Sequence, residues 1–183
     1  MKNNLYYPQV SLSDKEIFAE IKKEREVIGY YSLPYVDTTV LKTRLDDLNF
    51  PQKQIAIIGI GGSTLGTYAI YNFLKYNKQH NKSLKKEIFF FESTDPVNLN
   101  GTLAQLNLKD TLFIIISKSR TTIETISIFK YLMSITKIDK SNLLIITEDD
   151  SKLNTFARAN EINYFDIPKN VGGRFSVLSN VGL

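Results

Sequence analysis

Residues 54–66, QIAIIGIGGSTLG, set an apolar run directly before a glycine-rich turn. Ile55–Ile58 has the length of a strand and no alternation of polar with apolar residues. That pattern belongs to a strand buried on both faces, the usual state of a parallel strand covered by helices. The glycines end the strand, and Leu65–Tyr76 then has helical length. The same rhythm continues along the chain, with apolar runs at Ile88–Phe91, Leu112–Ile116, Leu143–Ile146 and Tyr164–Ile167. Between them Val97–Leu106, Thr122–Ile135 and Leu153–Ala159 read as helices. Strand–helix alternation of this kind predicts an α/β fold: a doubly wound, five-stranded parallel sheet in the flavodoxin-like order 2-1-3-4-5, with helices on both faces.

The preceding residues have a different character. Ser13 or Asp14 is placed to cap a helix through KEIFAEIKKEREVIG, with Ile17, Phe18, Ile21 and Val27 at helical spacing and Gly29 as its stop. The chain breaks at Pro34, and Asp37 or Thr38 is placed to cap a second helix, TTVLKTRLDDLN, ending before Pro51. With no flexible linker in view, residues 1–50 are expected to be a helical segment packed on one α/β domain, residues 51–183.

Composition removes whole classes of function. The chain has 183 residues, is 43% hydrophobic and 23% charged, so it is long enough for its own core and is not a disordered tail. It has no cysteine, which excludes disulfides, thiolate metal sites and a cysteine nucleophile. His80 is its single histidine, which excludes a zinc site built on several. No signal-peptide core and no run approaching the ~20 residues of a membrane span occur. The expectation is a soluble, cytoplasmic protein with no membrane partner. The net charge is +4, with Lys75, Lys78, Lys82, Lys85 and Lys86 crowded around His80. No aromatics interleave with them as a stacking platform requires, so the stretch reads as a solvated helix end and loop, with no nucleic-acid partner.

In such a sheet, ligands sit beyond the carboxyl ends of the strands at the switch point between the first and third. After the first run comes Gly59-Ile60-Gly61-Gly62-Ser63-Thr64-Leu65-Gly66. The glycines allow backbone close to a ligand, and the helix beginning near Thr64 turns free N–H groups toward it, an arrangement suited to an anion such as phosphate. A dinucleotide fingerprint fails, because Thr64 stands where the last glycine belongs, and a P-loop fails, because Thr67 stands where the lysine belongs. Glu92 lies about 30 residues past the glycines, too far for the ribose-binding acid expected at ~20. After the third run comes Ser117-Lys118-Ser119-Arg120-Thr121-Thr122, with hydroxyls and cations beyond what a helix cap needs and suited to a phosphate monoester. Glu124 fits a role at the helix start better than that of a base. Near the carboxyl end, Val171-Gly172-Gly173-Arg174-Phe175-Ser176 sets an arginine after two glycines, suited to charge developing on oxygen. Ser117 and Lys118 are expected to lie exposed at the edge of the sheet.

The stretches GIGGSTLG at 59–66, SKSRTTIET at 117–125 and VGGRFSVLSNVGL at 171–183, with Asp95-Pro96 after the second strand, together resemble the glucose-6-phosphate isomerase family. The resemblance covers residues 54–183 and implies the first of a pair of sugar-isomerase (SIS) domains. It implies that Gly62 and Ser63 help seat the substrate, and that Ser117, Lys118, Ser119 and Thr122 bind its 6-phosphate. It further implies that Gly173 and Arg174 lie by carbons one and two, with Arg174 catalytic in stabilising an enediolate. Ser119 replaces the more usual threonine, and Arg120 stands where an aromatic is common. The implied reaction interconverts glucose 6-phosphate and fructose 6-phosphate with no cofactor and no metal, in a protein that is a homodimer at full length. The family's proton-transferring glutamate and its assisting histidine and lysine belong beyond residue 183, so this chain is expected to be truncated and inactive alone. Three other readings stay open from the residues: a non-catalytic SIS-type phosphosugar-binding regulator, a nucleotide-binding domain, and a purely structural domain.

Overall fold

A computed structural model describes residues 13–75, 86–118 and 122–182. The strands are β1 (Gln54–Ile58), β2 (Glu87–Phe91), β3 (Thr111–Ser117), β4 (Leu143–Thr147) and β5 (Asn163–Asp166). The helices are α1 (Asp14–Val27), α2 (Thr39–Leu48), α3 (Leu65–Lys75), α4 (Pro96–Leu103), α5 (Ile123–Ile135) and α6 (Lys152–Ala159). The strands form one parallel sheet in the order β2-β1-β3-β4-β5. Its register sets Ile58 beside Ile115, and Ile115 beside Ile145. This is the α/β architecture that the unalternating apolar runs demand.

The central strands β1, β3 and β4 bury apolar residues on both sides, so two layers of cover are needed. On one face Ala56, Ile58, Phe113, Ile115 and Ile145 pack with Ile128, Phe129 and Leu132 of α5 and Leu153 and Ala157 of α6, and Leu99 and Leu103 of α4 complete that layer. On the other face Ile57, Leu112, Ile116, Leu144 and Ile146 meet Leu41, Leu45 and Leu48 of α2. Arg44 of α2 holds its guanidinium 4.5 Å from the centre of the Phe165 ring and donates to the Tyr164 carbonyl at 2.9 Å. On that face Tyr68 of α3 meets Phe90 edge-on at 4.9 Å. An apolar groove of about 590 Å³ runs over the sheet, with Leu41, Thr67, Ile114 and Val181 among its walls. Leu65, Tyr68, Ile70 and Phe73 of α3 remain exposed.

The helix ends resolve the alternatives left by the sequence. Ser13, not Asp14, caps α1 in a capping box, and its bonds hold the Glu16 carboxyl below the ordinary range. Asp37 accepts the Thr39 N–H at 2.9 Å, whereas Thr38 makes no side-chain cap bond. Gly29 is not the stop: α1 ends at Val27, and Ile28 is already extended. The helix expected over Val97–Leu106 ends at Leu103, because the following residues turn Leu106 and Leu108 back onto the core. Of the lysines read as a solvated stretch, Lys86 is half-buried and donates to the carbonyls of Phe50 and Gln52, both at 2.6 Å. Unpaired carbonyls at a strand entrance claim a donor before water does. His80, Lys78, Lys82 and Lys85 lie outside the described residues.

Two substitutions of opposite sign test this packing. Ile145 is 0% exposed, so Ile145→Ala leaves a cavity and costs about 2–5 kcal/mol. A Cβ at Gly101, inside α4, meets nothing within 4 Å, so Gly101→Ala gains about 0.5–1 kcal/mol by restricting the unfolded chain. Urea midpoints should move in these two directions with little change in slope.

Candidate functional site

The sheet order sets the carboxyl ends of β1 and β3 side by side. Beyond β1 the chain makes a 3-10 turn, Gly61–Ser63, and enters α3. Beyond β3 come Lys118 and then Thr122, which occupies the N-cap position of α5. From β5 a third segment returns to the same end and makes a 3-10 helix over Gly173–Leu178. The three glycine- and hydroxyl-bearing motifs are therefore neighbours in space.

The glycines serve a different purpose from the one their pattern suggests. Only Gly61 has a positive φ, 58°. A Cβ on Gly62 would stand 2.2 Å from the Gly173 carbonyl oxygen and 2.9 Å from the Arg174 Cα. A Cβ on Gly66 would stand 2.5 Å from the Val177 side chain. These two glycines let two stretches of the protein touch. The Ser176 hydroxyl joins the contact, lying 2.8 Å from the Gly173 carbonyl oxygen and 3.3 Å from that of Gly62. Thr67, where a P-loop would carry its lysine, donates to the Val181 carbonyl at 3.3 Å. The arginine-bearing segment is thus seated on the first glycine loop along its length.

Lys118 ties the second motif to the third. It is half-buried, and its ammonium donates to the carbonyls of Lys169, at 3.1 Å, and Val171. Ser117 is 3% exposed, and its carbonyl accepts the Thr147 hydroxyl at 2.7 Å. The expectation that both residues lie exposed at the sheet edge is therefore corrected. β3 is the central strand, flanked by β1 and β4, and its last residue is covered by them. Ser63 and Thr122 are half-exposed, and Arg174 and Glu124 are exposed. Ser119 and Arg120 lie outside the described residues. Glu92, at the end of the edge strand, lines a separate cavity of about 320 Å³ with Ser93, Asn98 and Thr102.

One participant escaped the sequence reading. The 3-10 turn Gly29–Tyr31 lies against the arginine segment, and the Gly29 N–H donates to the Asn170 carbonyl at 2.9 Å. A Cβ on Gly29 would stand 2.4 Å from Asn170 Oδ1. The rings of Tyr30 and Phe175 are 4.7 Å apart, and those of Tyr30 and Tyr31 4.4 Å. The Tyr30 hydroxyl, and after it desolvation and Glu24, raises the pKa of the Tyr31 phenol. The available signal was a glycine followed by two tyrosines outside any periodic pattern.

Gly62→Ala should cost about 1–3 kcal/mol, because backbone rather than a flexible side chain must give way. Gly173→Ala, whose Cβ would meet nothing within 4 Å, should stay within about 0.5 kcal/mol of the parent. Urea unfolding of the two variants checks the contrast.

Comparison with known proteins gives a consistent result. A family model described as phosphoglucose isomerase matches residues 51–183. A glucose-6-phosphate isomerase of Campylobacter jejuni is 37% identical over an alignment that covers 100% of this chain and 46% of that protein. A probable glucose-6-phosphate isomerase of Methanococcus maripaludis is 34% identical, covering 90% of this chain and 38% of that one. Among solved structures, a hypothetical protein of Thermus thermophilus superposes with a TM-score of 0.72 at 30% identity, covering 92% of this chain and 40% of that chain. A glucose-6-phosphate isomerase of Chlamydia trachomatis does so with a TM-score of 0.63 at 25% identity, covering 96% of this chain and 31% of that chain. The chain spans less than half the length of each of these relatives. Among the described residues no helix is long and apolar enough to cross a membrane. On the family match over residues 51–183, the chain belongs to the phosphoglucose isomerase family, and the likeness to part of the Campylobacter protein agrees with it.

Proposed function

We propose that this chain is the phosphosugar-binding part of a glucose-6-phosphate isomerase, with residues 51–183 as the SIS-type domain and residues 1–50 packed upon it. The whole protein would interconvert glucose 6-phosphate and fructose 6-phosphate in the cytoplasm, as a homodimer. The observation that carries this reading is the meeting of three motifs at the switch point, where Gly62 touches Gly173 and Arg174, and Lys118 reaches the segment before them. Three motifs far apart in sequence meet where an α/β sheet binds its ligands.

In this reading the 6-phosphate lies between the two helix starts. Ser117, Ser119 and Thr122 offer hydroxyls, Lys118 offers charge, and the α5 N-terminus adds its dipole. Gly62 and Ser63 seat the sugar from the β1 side. A base removes the proton from carbon two of the open-chain aldose while oxygen one gains a proton, giving the cis-enediol(ate). Return of a proton to carbon one and loss of one from oxygen two gives the ketose. Arg174, with Gly173 leaving room beside it, faces the negative charge that develops on these oxygens. The proton transfer needs a general base within ~3 Å, and the resemblance assigns that glutamate to a part of the family's chain that is not present here. The 183 residues alone should therefore bind without turnover.

Titration with fructose 6-phosphate, followed by amide shifts, tests the reading, with free fructose as control. Shifts should gather at Gly61–Thr64 and Ser117–Thr122 for the phosphorylated sugar only. Ser117→Ala should weaken binding about tenfold or more, the loss expected for a hydrogen bond to a charged group. Equal binding by this variant would sink the phosphate assignment. The affinity should also rise between about pH 5 and pH 7, because a phosphate monoester loses its second proton near pH 6 and the dianion is the better ligand for this charge pattern.

A further inference from the structure

We propose that the 3-10 turn Gly29–Tyr31 is the positioning element for Arg174, and that Tyr30 is the residue through which it acts. The inference rests on the reading of Arg174 given above. It assigns a role to a part of the chain outside the three motifs.

Arg174 needs external help to hold a direction. It follows Gly172 and Gly173, and its turn begins without a side-chain cap bond. Its side chain is exposed and, among the described residues, makes no ion pair. Among the described residues its aromatic neighbour is Phe175, with the guanidinium 5.9 Å from the ring centre. A long cation on a glycine-flanked turn loses much rotamer freedom when it is aimed, and that loss must be met by its surroundings.

Phe175 supplies the surroundings only if it is itself held. It is 51% exposed, so the core does not hold it. Its partner is Tyr30, at 4.7 Å with the planes tilted by 36°. Tyr30 stacks in turn on Tyr31, whose hydroxyl donates to Glu24 Oε2 of α1 at 3.1 Å. The backbone of the turn is fixed as well, since Gly29 donates to Asn170 and its carbonyl accepts the Ser32 hydroxyl at 2.8 Å. Leu33, just beyond the turn, is buried. A path of contacts therefore runs from α1 through Tyr31, Tyr30 and Phe175 to the guanidinium.

An aromatic pair adds stabilisation beyond its burial. This one lies at the surface beside an exposed arginine, and its rings are oriented by one another. Gly62 and Lys118 settle where the backbone of the arginine segment passes. Tyr30 settles the ring next to the charge.

The test uses the 183-residue chain with Tyr30→Ala and Tyr30→Phe variants. In the free chain, Tyr30→Ala should shift the amides of Gly172–Ser176 and move the Arg174 Nε–H resonance toward its random-coil value. The amides of Gly59–Thr64 should stay in place, and Tyr30→Phe, which keeps the ring, should restore the parent spectrum. An Arg174 signal unmoved by Tyr30→Ala overturns the inference, whatever the ligand results. The second measurement compares inorganic phosphate with gluconate 6-phosphate, whose carboxylate puts charge at the end of the sugar assigned to Arg174. The parent should prefer gluconate 6-phosphate, and Tyr30→Ala should reduce that preference about fivefold, the size of one aromatic pair, while phosphate affinity is unchanged. A preference retained in Tyr30→Ala overturns the positioning role and leaves the proposed function standing. A parent that binds phosphate but shows no such preference overturns the role given to Arg174, and the present inference with it.

Discussion

Two stretches of backbone touch where Gly62 meets Gly173 and Arg174, and the geometry at the carboxyl end of the sheet depends on that contact. No residue with a Cβ can stand at position 62 without pushing the arginine segment away. Once the contact is made, the rest of that segment closes along α3: Val177 over Gly66, and the Val181 carbonyl onto Thr67. The sheet order brings β1 and β3 together, but this approach brings in the segment after β5. A parallel sheet alone leaves its loops to wander over the surface. Here one loop is seated on another.

Lys118 shows how a charged group is divided between structure and chemistry. An ammonium has three N–H donors. Two point at the carbonyls of Lys169 and Val171, which lie in irregular backbone and need partners. On the proposed reading the remaining donor and the charge face the phosphate. A lysine held in this way loses less freedom on binding than one waving from a surface. On that reading, holding also links the phosphate loop to the arginine segment, because one ammonium joins the two stretches of backbone.

How much of this was legible in the sequence depends on the kind of signal. The five strands could be read because runs such as Leu112–Ile116 have no polar side to offer solvent, and their order followed from the flavodoxin-like pattern of a doubly wound sheet. The helices followed from spacing, and the position of the three motifs followed from the order. What glycines do was not legible. A glycine that admits a ligand and a glycine that admits a neighbouring backbone are the same letter, and Gly59, Gly62 and Gly66 crowd against protein atoms. The burial of Ser117 was missed because the rule that ligands bind at strand ends says nothing about how deeply the last strand residue sits. Lys86 was read by its neighbours' charge and not by the carbonyls of Phe50 and Gln52, which no linear pattern sets beside it. Gly29 looked like a helix stop because stops are what glycines mark locally. Its long-range contact with Asn170 has no local signature.

The arginine segment has two properties that separate contacts govern. Its place is set from below, by Gly62 and Lys118, through backbone that cannot move far without breaking hydrogen bonds. The direction of its guanidinium is set from the side, by Phe175 and by the tyrosines behind it. Backbone position tolerates little change and rests on contacts within residues 51–183, the part that the family model matches. Direction depends on a surface stack reached through residues 24–31, a part of the chain that the family model does not include. On the proposed reading, the answer to charge at the far end of the sugar can therefore be weakened without loss at the phosphorylated end, because no contact that serves the phosphate passes through Tyr30.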